Sequence, residues 1–160
     1  DTYFIRSEAQ GLLKIQGNSL VLAHHGDLFK ENYLNYGIEY TKEKALFPSS
    51  DQLYVYNPSA PSKEKAITRF PTDSDKYIKQ GKIYRIYRTQ DNNIIIGTLS
   101  NRGIVIVDSA GNTVQKVNRE LGLQKGSIYD ITTDREGNAW MAMSNGLSKA
   151  DISSSITFWD

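Results

Sequence analysis

Short apolar runs alternate with tight polar turns in the second half of the chain, between residues 127 and 151. The apolar runs predict three strands: Ile128 and Ile131 begin the first, Ala139 to Met143 form the second, and Leu147 to Ala150 form the third. In the turn Asp134–Gly137, Asp opens the turn and Gly supplies the positive φ that closes it, and Asn145-Gly146 is a short hairpin signal. Strands joined by so few residues pair antiparallel, so this pattern predicts a meander.

The same unit occurs a second time, from residue 83 to residue 107. Asn92 stands where the later copy has Gly137, and Asn tolerates the left-handed conformation better than other residues with a Cβ. The predicted strands of this copy are Ile83 to Thr89, Ile94 to Thr98 and Gly103 to Val107.

Weaker copies precede these two. They supply predicted second and third strands at Ala45 to Pro48 and Leu53 to Tyr56, and at Tyr3 to Ile5 and Gly11 to Ile15. The first apolar residues of the third strands are separated by 41, 51 and 43 residues; they are Leu12, Leu53, Ile104 and Leu147. A repeat of this length built from four short strands is typical of a β-propeller blade.

We therefore predict an all-β fold, a β-propeller fragment of about four blades, each a four-stranded antiparallel meander. The first blade is expected to lack its innermost strand. The fourth strands are expected at Leu20 to Ala23, Ala66 to Arg69, Thr113 to Val117 and Ile156 to Trp159. One partial propeller then covers residues 1–160, with approximate blades 1–30, 31–72, 80–118 and 125–160. A length of 160 residues is short for a propeller with ~40–45 residues per blade, which favours a fragment over a complete small β-domain.

Two positions carry finer predictions. Ile83 and Ile86 lie three residues apart, and the same spacing recurs in the later copy, which indicates burial on both faces or a local bulge. Trp140 occupies the slot of Ile95 and is expected to pack between blades.

The residues of the last copy resemble a known repeat. Thr133 to Ala142, followed by Asn145 to Ser148, is similar to the two-component regulator propeller repeat, whose unit has an Asp, a Gly-Asn turn, a Leu-Trp pair, a Gly-Thr and a Gly-Leu. Ile96 to Thr98 with Gly103-Ile104 is a second match. The chain departs from that pattern where Ala142-Met143 replaces Gly-Thr and Ala139 replaces Leu.

The last 80 residues or so resemble the final blades of the periplasmic sensor of hybrid histidine kinases and related triple-tyrosine-motif regulators. The resemblance implies an extracytoplasmic part of an inner-membrane protein that takes part in signal transduction. It also implies a following triple-tyrosine domain, a membrane helix and a kinase or cyclase. The signal peptide, the membrane helix and the transmitter are expected to lie outside these 160 residues, so any membrane attachment is through those segments.

Composition and motifs argue against several classes of function. Lys and Arg number 19 against 18 Asp and Glu, and no basic stripe is present, which argues against nucleic acid as a partner. There is no Cys, so thiolate ligands are excluded, and no run approaches the ~20 apolar residues that span a bilayer. Neither a Gly-x-Ser-x-Gly elbow nor a phosphate-binding loop occurs. We predict no enzyme, no catalytic residue and no cofactor.

Two local features have alternative readings. His24-His25 invites a metal site, but neighbouring residues on a strand point to opposite faces, so we predict a strand end and no metal. A tyrosine-rich segment fits either packing between blades, which we favour, or a platform for stacking sugars. It comprises Tyr33, Tyr36, Tyr40, Tyr54 and Tyr56.

The loops from each fourth strand to the next first strand, and from second to third strands, are expected to open on one face around the central channel. Their amide, hydroxyl and cationic side chains suit a polar ligand such as an oligosaccharide. The candidate ligand-binding residues are Lys82, Asn101, Arg102, Lys125, Ser127 and Asn145.

The main alternative is a structural or protein-interaction propeller that mediates dimerisation without a small-molecule ligand. A propeller hydrolase or lyase is a third, weaker reading. Because a partial propeller exposes apolar faces, self-association is also predicted.

Overall fold

The computed structural model describes residues 3–30, 34 and 36–152, and in this part of the chain regular structure is almost entirely β. The strands are β1 (Phe4–Ser7), β2 (Gly11–Gln16), β3 (Ser19–Leu22), β4 (Ile38–Thr41), β5 (Lys44–Pro48), β6 (Leu53–Tyr56), β7 (Ile67–Phe70), β8 (Ile83–Arg88), β9 (Ile94–Thr98), β10 (Ile104–Val107), β11 (Thr113–Val117), β12 (Ile128–Thr133), β13 (Ala139–Met143) and β14 (Gly146–Ala150). The helices are α1 (Lys63–Ala66) and α2 (Asp75–Gly81), with 3-10 turns at Gly26–Phe29 and Arg119–Leu121.

The strands form four antiparallel meanders in chain order, which confirms the predicted all-β repeat. The first sheet is β1-β2-β3, the second is β4-β5-β6-β7, and the third runs from β8 to β11. The fourth sheet contains β12, β13 and β14. The first sheet has three strands, as the prediction of a missing innermost strand requires. The fourth strand predicted at Ile156 to Trp159 lies outside the described residues.

Strand boundaries differ from the prediction at two fourth strands. Ala66 ends α1 instead of opening a strand, and β7 begins at Ile67. Lys-Glu-Lys-Ala favours a helical turn, and the Ala66 carbonyl accepts a hydrogen bond from the Asn57 amide at 2.8 Å, which closes the loop. In the first sheet, β3 ends at Leu22, and Ala23 is instead buried beyond the strand.

The chain divides into two compact units, one made of residues 1–49 and 53–70 and the other of residues 50–52 and 71–160. In the first unit, an aromatic cluster fills the core. Tyr56 is almost fully buried and meets the rings of Phe4, Phe29 and Phe47 edge-on. Its hydroxyl donates to the His24 carbonyl at 2.7 Å, and burial raises the pKa of Tyr56 to about 12.

The other tyrosines of this segment have different surroundings. Tyr54 packs against the same core, and Tyr40 meets Phe70 at 5.5 Å between ring centroids. Tyr36 is 64% exposed, and Tyr33 lies outside the described residues. Core packing, the favoured interpretation, therefore holds for Tyr56 and Tyr54.

The two histidines of the first unit join its loops. The Nδ1 atom of His24 lies 2.9 Å from the Pro58 carbonyl oxygen, and the Nε2 atom of His25 lies 3.2 Å from that of Ala60. Each ring therefore has a backbone contact on the 58–60 loop. Within the residues described, no group of three or more His, Cys, Asp or Glu is arranged to hold a metal ion.

In the second unit, the third and fourth sheets pack face to face. Ile95, Ile104 and Ile106 of the third sheet share one core cluster with residues of the fourth. The fourth sheet contributes Ile128, Ile131, Ala139, Met141 and Met143. Ile94 and Ile96 alternate to the other face of β9 and are also buried. Residues at alternate positions of β13, such as Trp140, point away from this core.

The strand register confirms that Trp140 occupies the position equivalent to Ile95, as predicted. Ile95 pairs with Tyr87, and Trp140 pairs with Thr132, at equivalent places in the two sheets. In the second unit as far as Ile152, Trp140 is half-buried on the face turned away from β9. Within the described residues of this unit no further sheet is seen on that face, so the packing of Trp140 between blades stays a prediction.

The bulge reading of the isoleucine spacing is confirmed. The pairing of β8 with β9 shifts register between Ile83 and Arg85, and that of β12 with β13 shifts between Ile128 and Asp130. Both bulges lie at the start of the strand that forms the free edge of its sheet. These two edge strands, β8 and β12, lie beside each other.

Candidate functional site

The predicted ligand-binding residues lie in four loops of the second unit. Two loops lead into β8 and β12, and the other two are the β9–β10 and β13–β14 hairpins. Lys82 precedes β8, Asn101 and Arg102 lie between β9 and β10, Lys125 and Ser127 precede β12, and Asn145 lies between β13 and β14.

Main-chain hydrogen bonds hold the loops of the third sheet together. The Leu99 amide donates to the carbonyl oxygens of Gly81 and Lys82 at 3.1 and 3.0 Å. The Ser100 amide also donates to Gly81, at 3.0 Å. The connector that ends α2 is thereby fixed against the β9–β10 hairpin.

Ser127 joins these loops to those of the fourth sheet. Its hydroxyl donates to the Leu99 carbonyl, and its main chain pairs with Ser144. The Ser144 amide donates to the Ser127 carbonyl at 2.9 Å, and the Ser127 amide donates to the Ser144 hydroxyl at 3.2 Å. Lys82 and Ser127 are thus linked through a single residue, Leu99.

A second group forms around Asn145. Its side-chain amide donates to the Gln124 side-chain oxygen at 3.2 Å. Gly126 allows this approach, because a Cβ at that position would lie 2.6 Å from the Asn145 side-chain oxygen. Lys125 is exposed between Gln124 and Gly126. The exposed Lys125 therefore lies in the same loop as Gln124, the hydrogen-bond partner of Asn145.

Arg102 is directed elsewhere. Its guanidinium lies 5.2 Å from the centre of the Tyr77 ring, and its carbonyl accepts the Tyr77 hydroxyl. Lys116 is also 5.2 Å from the centre of that ring. Tyr77 belongs to α2, so this cation–π cluster fixes the helix to the third sheet. The Arg102 side chain is engaged in that contact and is not grouped with the other loop residues.

The backbone of two predicted residues is unusual. Lys82 has φ of 56° and ψ of 111°, and Asn101 has φ of 58°. A positive φ is common for Asn but rare for Lys, and such strain concentrates at functional sites. Here it turns the exposed Lys82 side chain out of the connector immediately before β8.

The arrangement offers hydrogen-bond donors and acceptors. Ammonium, amide and hydroxyl groups are present, and none of them forms a nucleophile–base pair of the kind that hydrolases use. Among the helices described, none is long and apolar enough to cross a membrane.

The site has neighbours that the sequence prediction missed. Tyr84 follows Lys82 by two residues, Tyr129 follows Ser127 by two, and their rings pair at 5.7 Å between centroids. The signal was an Ile-Tyr pair at the same place in both repeats, directly before the bulge. The prediction considered tyrosines only in the first half of the chain.

Comparison with known proteins gives likenesses in structure alone. No protein-family model matches the sequence, and no curated protein matches it. With 18% identity and a TM-score of 0.57, the chain is similar to the extracellular domain of a protein described as a hybrid two-component system from B. thetaiotaomicron, over 93% of this chain and 18% of that one.

Two further structures have the same architecture. The WD40 β-propeller domain of Doa1 aligns with 92% of this chain and 45% of its own, at 10% identity and a TM-score of 0.66. YCF48 bound to D1 peptide aligns with 94% of this chain and 47% of its own, at 11% identity and a TM-score of 0.58. The chain spans less than half the length of each of these structures. These likenesses, together with the repeated meanders, show that the fold is that of a β-propeller.

Proposed function

We propose that the chain is part of the extracytoplasmic sensor domain of a membrane-bound two-component signalling protein, and that its loops bind a polar ligand such as an oligosaccharide. The observation that carries this proposal is the hydrogen-bonded set of loops in the second unit. Ser127 contacts Leu99, which in turn contacts Lys82, so loops distant in sequence form one surface.

Two further facts support the proposal. The repeat resembles that of two-component regulator propellers, and one similar structure is an extracellular domain of a hybrid two-component system. In this scheme, ligand binding favours one of two states of the whole protein. The difference in affinity between the two states sets the size of the signal passed to a transmitter.

The experiment is a thermal-shift screen of neutral and acidic oligosaccharides against this chain. A stabilising ligand is expected, and the combined variant Asn101→Gly, Lys125→Ala and Asn145→Ala is expected to lose the shift. All three side chains are exposed, and Gly accepts the positive φ of residue 101, so the variant is expected to retain the fold. The matched control is Lys42→Ala with Lys44→Ala, which changes exposed residues of the first unit.

The alternative is an interaction propeller without a small-molecule ligand. An exposed apolar residue of the fourth sheet favours it, because Leu147 is 62% exposed in the described part of the chain. Sedimentation velocity from 1 to about 100 μM separates the two functions. A flat oligosaccharide screen with self-association that Leu147→Glu abolishes supports the interaction role and overturns the sensor role. A monomer at all concentrations overturns the interaction role.

A further inference from the structure

Two exposed tyrosines stand side by side on the edge strands of the second unit. Tyr84 on β8 is 37% exposed and Tyr129 on β12 is 49% exposed. Each follows an isoleucine that is almost fully buried, Ile83 or Ile128, whereas the tyrosine itself remains exposed.

The bulges explain how these rings leave the sheets. Tyr84 and Tyr129 are the residues skipped by the register shifts, so neither pairs with a residue on the neighbouring strand. Bulges of this kind re-aim a side chain and are common beside binding sites. The resulting rings lie 5.7 Å apart at 73°, which leaves ring surface of both exposed in a shared corner.

The ion pair next to the two rings carries no net charge. The Nε atom of Arg85 lies 2.7 Å from Oδ1 of Asp130, directly after the two tyrosines. In the described part of the chain, neither tyrosine hydroxyl has a hydrogen-bond partner. At the rings themselves, aromatic surface, two hydroxyls and a neutralised ion pair match an uncharged polyol, and the exposed cation Lys82 lies on the adjoining loop.

The third tyrosine of these two strands, Tyr87, has different surroundings. The hydroxyl of Tyr87 lies 3.2 Å from that of Thr133, and Tyr87 packs against the core between the sheets. That residue has a structural role. Tyr84 and Tyr129 have no comparable burial, although a large aromatic side chain gains most free energy when it is covered.

We infer that Tyr84 and Tyr129 form a stacking platform for a pyranose ring of a neutral oligosaccharide, with the Arg85–Asp130 pair binding its hydroxyls. The platform adjoins Lys82 and Ser127, so further sugar units of the same ligand extend over the loops. This inference rests on the proposed function, since it names the ligand class and the contacts of that same site.

The test uses maltohexaose, cellohexaose, xylohexaose and mannohexaose, with a heparin hexasaccharide as the anionic comparator. Titration calorimetry on the whole chain is expected to show binding of at least one neutral hexasaccharide. Tyr84→Ala and Tyr129→Ala are each expected to weaken it about tenfold, equivalent to about 1.4 kcal/mol. Tyr84→Phe and Tyr129→Phe keep the rings and are expected to stay within about threefold of the wild-type affinity. Tyr36→Ala, at an exposed tyrosine of the first unit, is the control and should change nothing.

A second readout avoids reliance on the alanine variants. In chain labelled with 3-fluorotyrosine, the ¹⁹F resonances of Tyr84 and Tyr129, assigned with the Phe variants, should shift on adding the bound sugar. The resonance of Tyr36 should not shift.

The outcomes separate the two proposals. Sugar binding that leaves both resonances and both alanine affinities unchanged overturns the platform and leaves the sensor function standing. Binding of only the heparin fragment, or of none of the hexasaccharides, also overturns the platform. The sensor function falls only if the wider thermal-shift screen is flat as well.

Discussion

The third and fourth sheets have the same design but differ in what covers them. Every residue of β9 is buried, whereas in β13 burial alternates, with Ala139, Met141 and Met143 buried. Ile95 is buried against the fourth sheet. The equivalent residue of the fourth sheet is Trp140, which lies on the face turned away from the third sheet. The repeat therefore fixes where a side chain lies, and the neighbouring surface decides which side chain is tolerated there.

The slot of Gly97 shows the same rule. Gly97 pairs with Arg85, and Ala142 pairs with Asp130 at the equivalent place. A Cβ on Gly97 would lie 2.7 Å from Cδ1 of Ile131 and 3.0 Å from Cγ2 of Ile128, so the packed sheet favours Gly. Ala142 is exposed and carries its Cβ without a clash. The departure of Ala142 from the Gly of the repeat pattern has this physical explanation.

The largest expected effect compares Ile95 with Trp140. Ile95→Ala removes a fully buried side chain from the core cluster and should lower the free energy of unfolding by about 2–5 kcal/mol. Trp140→Ala removes a larger side chain, yet should cost only about 1–2 kcal/mol, because the ring is outside the core cluster and loses mainly the hydrogen bond to Asp134 and the contact with Lys149. Urea unfolding measures both. Equal losses would contradict the difference between the faces.

Adding a methyl group gives a smaller effect. Gly97→Ala should lower the free energy of unfolding by about 1–3 kcal/mol through overpacking against Ile131. Ala142→Val, which enlarges the equivalent exposed residue, should change it by less than about 0.5 kcal/mol. A tolerated Gly97→Ala would show that the two sheets are not in close contact at this point.

The smallest effect concerns the turns before β9 and β13. The main-chain N–H of Asn138 donates to the Asp134 carboxylate at 2.9 Å, and the main-chain N–H of Asn93 donates to the Thr89 hydroxyl at 3.1 Å. The positive φ expected at each turn is present, 84° at Gly137 and 64° at Asn92. The two turns have the same backbone shape. A titratable carboxylate closes the turn of the fourth sheet, whereas a neutral hydroxyl closes that of the third.

Acid should distinguish these turns. Hydrogen bonds from Trp140 and then Asn138 lower the pKa of Asp134 from 3.8 to about 2. Since the folded pKa is the lower one, the stabilisation is complete above pH 3.8 and is lost as the pH falls through about 2. In a Trp159→Phe background, the indole N–H resonance of Trp140 should titrate in that range. The amide of Asn93 should not, and Asp134→Asn should abolish the titration of Trp140. Parallel titration of both signals would contradict this account.

Local chemistry explains what could be predicted from the sequence. Turn residues such as Gly137 and Asn92 act within a few residues, so the meanders and their repeat were recognisable. The spacing of Ile83 and Ile86 also indicated the bulge. The Ala66 boundary was wrong because the run Lys63–Ala66 favours a helical turn before the strand begins.

The site was less predictable because it depends on distant contacts. The direction of Arg102 is set by Tyr77, which lies 25 residues away on α2. The exposure of Tyr84 and Tyr129 follows from how two edge strands meet, which no single repeat encodes. Likewise, the burial of Trp140 depends on what packs on its face of the sheet and not on the residue itself.

Face-to-face packing of repeated sheets is the central claim, and a double-mutant cycle between Gly97 and Ile131 tests it most directly. Ile131→Val removes Cδ1, the atom nearest to the added methyl group of Gly97→Ala. Urea unfolding should show the double variant to be more stable than the sum of the single losses predicts, by at least about 0.5 kcal/mol. Additivity within about 0.3 kcal/mol would contradict the packing of the third sheet on the fourth.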